Sequence, residues 1–158
     1  MKTIALAALA ALSVSGAASA QQMMDHAHMH DMAAAPAAPD TRELLKLSPE
    51  AIDALRIDMQ HMTAALAKVM EQLAANKRAD AAKTLEEGLG VTAMTTHPGM
   101  MKASQEMPES ARMLGMGTHK AASELAAGLK TAKPAAIYSG LQRIVAGCSS
   151  CHATYRVR

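Results

Sequence analysis

The chain has 158 residues, and its 16 Lys and Arg stand against 14 Asp and Glu for a formal net charge of +2. So even a balance gives nucleic acid or an acidic lipid surface little to hold as a partner. Phe and Trp are missing, Tyr occurs twice and Met 14 times in an Ala-rich background, which favours helix over strand and predicts an all-α fold.

Residues 1–20 have the form of a signal peptide: Lys2 makes the start positive, Ile4 to Val14 is apolar, and Ala18-Ser19-Ala20 offers small residues for cleavage before Gln21. That apolar run falls short of the roughly 20 residues that span a bilayer, and charges interrupt every later one. A soluble mature chain without membrane insertion is expected. From Gln21 the sequence is polar with many Met and His, then Ala/Pro-rich from Ala33 to Pro39. Residues 21–45 therefore read as a flexible arm, with a short turn at Asp40 to Lys46. Residues 46–158 suit one domain.

Within that domain Ser48 is an N-cap candidate, Pro49 takes the first helical position and Glu50 lies in the positive first turn. Ile52, Leu55, Met59, Met62, Leu66, Val69 and Leu73 then form a heptad seam that lasts to about Ala75. After a break at Asn76 to Arg78, a second helix is predicted from about Ala79 to Thr96. Its face is Ala82, Leu85 and Leu89, Gly88 and Gly90 weaken it, and His97-Pro98-Gly99 ends it. Met100 to Met107 reads as a loop. Pro108 opens a third helix with Leu114, Thr118, Ala121, Leu125 and Leu129 on its apolar face and Gly115 and Gly117 weakening its first half. Lys133-Pro134 stops the chain and restarts it as a fourth helix, from about Ala135 to Arg156, with Ile137, Leu141, Ile144, Cys148, Cys151 and Tyr155 on its seam. Four amphipathic helices with short links predict an up-down-up-down four-helix bundle. His61, His97 and His119 fall off these seams and are expected to face solvent.

Cys148-Ser149-Ser150-Cys151-His152 uses both cysteines of the chain. This is the C-x-x-C-H pattern of covalent haem attachment: each thiol can add to a vinyl group of one haem, and the next residue offers its iron an imidazole. On a helix, Cys148, Cys151 and His152 stand at i, i+3 and i+4 and leave one face. One covalent haem c is expected near the C-terminal end of helix four, with His152 as proximal ligand, in a protein exported to the periplasm. A disulfide or a redox dithiol is the rival use of the two cysteines. The dithiol needs a βαβ setting, which the helical pattern does not offer, and leaves His152 unexplained. In an up-down-up-down bundle the end of helix four lies beside the start of helix one, where Leu55, Met59 and Met62 point inward. Leu55 has no donor atom. Met59 and Met62 can each offer a thioether, a partner to His that raises the reduction potential, and each can equally fill core space.

A C-x-x-C-H motif close to the C-terminus, continuing Ala153-Thr154-Tyr155-Arg156 and preceded by a four-helix pattern from about Leu47, resembles the class II cytochromes c, the cytochrome c prime and cytochrome c556 family. The resemblance implies haem on the fourth helix with the distal position on the first, electron transfer rather than enzymatic catalysis, redox proteins as partners, and a homodimer through the outer faces of the first two helices. It also implies that a distal Met makes a six-coordinate electron carrier, whereas an apolar residue leaves a five-coordinate iron that binds NO or CO. The family's distal residue usually follows an Arg by four; here Arg56 precedes Met59 by three and Met62 by six. Met59 keeps to the core heptad and is the preferred distal ligand, with Met62 the alternative. By the same resemblance Arg56 and Arg156 are candidates to hold the haem propionates. A solvated helix face for Arg56 and a helix C-terminus for Arg156 are the alternatives. Tyr155 is expected to cover the haem edge.

The segment Met23-Met24-Asp25-His26-Ala27-His28-Met29-His30-Asp31-Met32 adds a second candidate metal site. Imidazoles of His26, His28 and His30 beside thioethers suit copper or zinc, although a flexible arm does not preorganise them. Three functions are thus on the table: a His/Met electron carrier, a gas-binding cytochrome c prime, and metal handling through the arm.

Overall fold

Pro49–Ala74 forms α1 in the computed structural model, which describes residues 38–158. The leader and the segment carrying His26, His28 and His30 lie outside the described residues. Ser48 starts the helix as its sequence predicts: its hydroxyl oxygen accepts from the Ala51 amide at 3.3 Å, with Pro49 in the first turn. Asn76, at φ 57°, closes it in the left-handed conformation that Asn tolerates just past a helix end.

Arg78–Leu89 is α2. It stops at Gly90, and Val91–Thr95 continues as a 3₁₀ turn, so the single helix expected to reach Thr96 is two elements. Met100–Glu106, where the sequence reads as a loop, is a short helix, α3. A tertiary partner holds it: the Glu106 carboxylate accepts from the Ser48 amide at 2.6 Å and from the Ser48 hydroxyl at 2.9 Å. Glu109–Gly128 forms α4, unbroken by Gly115 and Gly117, and Pro134–Thr154 forms α5.

The expected fourth helix is shorter than its pattern. Tyr155–Arg156 leaves it as a strand, β2, and pairs in parallel with Glu43–Leu44, β1, with Glu43 opposite Tyr155 and Leu44 opposite Arg156. The Asp40 to Lys46 stretch is therefore extended rather than a turn. The folded unit takes in the chain from Asp40, ahead of the expected start at 46.

Among the described residues the protein is mostly helical and all-α. Helix α1 packs on α2, α2 on α4 and α4 on α5, while α3 lies against α1. Leu85, Leu89, Leu129, Ile144 and Val69 are the largest fully buried side chains of the main core, and each such Leu or Ile contributes about 1.5–3 kcal/mol over its exposed state. With no Phe or Trp to fill space, the helices come close. A Cβ at Gly88 would fall on Ala65 of α1, and one at Gly147 on the Thr118 hydroxyl of α4. A smaller core joins Leu45, Ala111 and Tyr155 where β1 and β2 meet the start of α4. No helix of the described residues is long and apolar enough to cross a membrane.

Candidate functional site

Helix α5 places Cys148, Cys151 and His152 on one side, as their spacing requires. Both cysteines are free thiols, partly buried. Burial pushes the Cys148 thiol up; burial, and then the neighbouring Cys148, push the Cys151 thiol up. Reactive dithiols show the opposite, a thiol lowered by a cation or a helix N-terminus, so this pair has the environment of protonated sulfhydryls rather than of a redox nucleophile.

Two clefts share Cys151, His152 and Met59 in their walls. The larger, about 410 Å³, also touches Leu45, Leu55, Tyr155 and three guanidinium groups, those of Arg42, Arg56 and Arg156. The smaller, about 190 Å³, continues to Cys148, Gly147, Met62 and Leu66. Met59 thus stands on α1 facing the α5 motif in both clefts, whereas Met62 reaches only the smaller and is otherwise part of the main core.

The larger cleft is electropositive, with no carboxylate in its lining. Asp40 sits behind it: its carboxylate accepts from Arg42 at 2.8 and 2.9 Å and lies 3.6 Å from Arg156. The Arg42 side chain pulls the Asp40 carboxyl from its ordinary 3.8 down to about 2. Arg42 also donates to the His152 carbonyl at 3.2 Å, and Arg156 donates to the Arg42 carbonyl at 3.1 Å. Arg156 follows Tyr155, the C-cap of α5, and belongs to β2. Arg56 lines the cleft while 3.5 Å from the exposed Asp53. Tyr155 is buried and its hydroxyl donates to Ser110 at 2.6 Å, which fixes the ring at the cleft's edge.

Arg42 and Leu45 escaped the sequence reading because they lie in the segment taken for an arm; no local pattern marks a strand this short. Two of the three histidines expected in solvent are elsewhere. His97 pairs with the buried Asp58, and His119 is half-buried with its Nδ1–H donating to the Leu89 carbonyl at 2.8 Å; only His61 is exposed. Asp58 itself was missed, although it stands one heptad after Ala51 and one turn before Met62, on the stripe that α1 buries.

The residues present fit a haem c: two unpaired thiols at helical spacing, an adjacent imidazole, a thioether facing them, and three arginines in the wall of the larger cleft. Among the described residues no group of three or more His, Cys, Asp and Glu converges to hold a bare metal ion. Searches against models of protein families, against curated proteins and against solved structures give no match for this chain.

Proposed function

We propose that the protein is an electron-transfer cytochrome of the class II type, exported to the periplasm, carrying one haem c on Cys148 and Cys151. The observation that carries this is the C-x-x-C-H face of α5 opening on clefts whose facing wall presents Met59. Haem bound there would supply a one-electron ferric/ferrous couple.

The chain's own residues have distinct tasks. His152 and Met59 would hold the iron of the haem, Met59 being favoured over Met62 because Met59 borders both clefts and Met62 only one. Arg42, Arg56 and Arg156 would offer charge-assisted hydrogen bonds to its propionates, and Tyr155 and Leu45 would keep water from its edge. The four long helices α1, α2, α4 and α5 are read as an up-down-up-down bundle with α3 in its middle connection. Support comes from the pairing of β1 with β2, which sets the approach to α1 beside the end of α5. Ile57 and Met70, each 52% exposed on α1, offer apolar contact for the homodimer that the family resemblance implies.

Oxidised and reduced absorption spectra of protein matured in a host that attaches haem test this directly. A low-spin spectrum with a thioether ligand is expected, and Met59→Ala should turn it high-spin and admit CO. Colourless protein with two titratable sulfhydryls would end the proposal. A wild type that is already five-coordinate and binds CO at once would move it to the gas-binding class, and an unchanged Met59→Ala spectrum would transfer the ligand to Met62.

A further inference from the structure

A third cavity, about 190 Å³, lies where α1, α3, α4 and the 3₁₀ turn meet, and none of the haem motif lines it. We propose that it binds a Cu(I) ion, with His119 and the thioethers of Met94, Met100 and Met101 as donors and the Asp58 carboxylate as the anion facing it.

Asp58 is only 4% exposed, and a buried carboxylate is costly unless something pairs with it. One oxygen takes the Nδ1–H of His97; among the described residues this is the carboxylate's one polar partner. The His97 ring is itself packed against His61, centroids 4.9 Å apart. A carboxylate held from behind by an imidazole keeps its negative charge fixed at the cavity wall, where it attracts a cation.

His119 is arranged in the same sense. Its Nδ1–H is committed to the Leu89 carbonyl at 2.8 Å, which sets the tautomer and leaves the Nε2 lone pair as the ring's donor to a metal. The two hydroxyl residues of the cavity do not compete as proton donors, since Thr95 donates to the Thr92 carbonyl and Ser104 to the Met101 carbonyl. Met94 comes from the 3₁₀ turn, Met100 and Met101 from the first turn of α3. Met101 is 69% exposed, so the cavity has an open side.

The donor set selects the ion. One carboxylate cannot satisfy calcium or magnesium, which take six or more oxygens. Structural zinc asks for four Cys, His or carboxylate ligands, and the described residues bring no such trio together. Three thioethers with one imidazole form a soft donor set of the kind that selects Cu(I), and the Asp58 carboxylate beside them offsets the charge of the cation.

The test uses the full chain with the N-terminal arm silenced by His26→Ala, His28→Ala, His30→Ala, Met23→Leu, Met24→Leu, Met29→Leu and Met32→Leu. The two cysteines are either in haem thioether linkage or blocked with iodoacetamide, so that colour and copper uptake are separate readouts and either can fail alone. Anaerobic titration with Cu(I) against a chromophoric chelator should show one ion per chain. Met94→Leu, Met100→Leu and Met101→Leu together are volume-conserving and should weaken binding at least ~10–100-fold; His119→Ala, made independently, should do the same. No uptake by the arm-silenced chain, or uptake unaltered in both variants, would overturn the site and leave the Asp58–His97 pair as a clamp between the turn before α3 and α1.

Discussion

Gly147 and Gly117 both lie inside helices, yet their surroundings assign them opposite effects. A methyl at Gly147 lands on the Thr118 hydroxyl, which is buried and already donates to the Leu114 carbonyl at 3.0 Å, so neither partner can yield freely. Gly147→Ala should therefore destabilise by about 1–3 kcal/mol. Gly117 meets nothing within 4 Å, and Gly117→Ala should stabilise by about 0.4–1 kcal/mol through the unfolded chain. Urea unfolding of the two variants checks both signs. Asp40 carries a pH dependence. Its folded carboxyl is lowered to about 2 by Arg42, from an ordinary 3.8. The stability it adds is present above about 3.8 and is lost as pH falls through about 2. The melting-temperature difference between wild type and Asp40→Asn should shrink over that window; a constant difference would show that the Asp40–Arg42 pair does not act through ionisation.

The elements owe their positions to a few cross-connections. Helix α3 is too short to stand without tertiary support, and Glu106 ties its end to Ser48 at the start of α1. Because Ser48 also caps α1, Ser48→Ala should cost about 1 kcal/mol of stability and also speed hydrogen exchange in α3. Equal exchange in α3 would mean that its packing on α1, through the buried Ala103, is sufficient. The strand pair β1 and β2 does comparable work at the cleft, since it carries Arg42 to within 3.2 Å of the His152 carbonyl and sets Arg156 in the same wall.

For the molecule as a whole, the clefts beside α5 leave space between that helix and α1, and a covalent group there would add to the packing. Cys148→Ala with Cys151→Ala should give colourless protein with a lower melting temperature than the haem-loaded wild type, because a tethered haem would bury its apolar surface only in the folded state. Equal melting of the two proteins would separate the fold's stability from the cofactor altogether.

The pentad Cys148 to His152, the Ser48-Pro49 start and the α1 and α5 seams were legible in the chain because each is a contact pattern within a turn or two of helix, where sequence spacing is spatial spacing. The all-α class followed from composition for the same local reason. The places where this failed share a cause. Arg42 meets the His152 carbonyl across 110 residues, Asp58 meets His97 across 39, and β1 finds β2 from the other end of the folded unit. No window of sequence contains both partners of such contacts, so the strand at each end, the helix at Met100–Glu106 and the burial of His97 and His119 emerge only when distant segments pack and satisfy one another's polar groups.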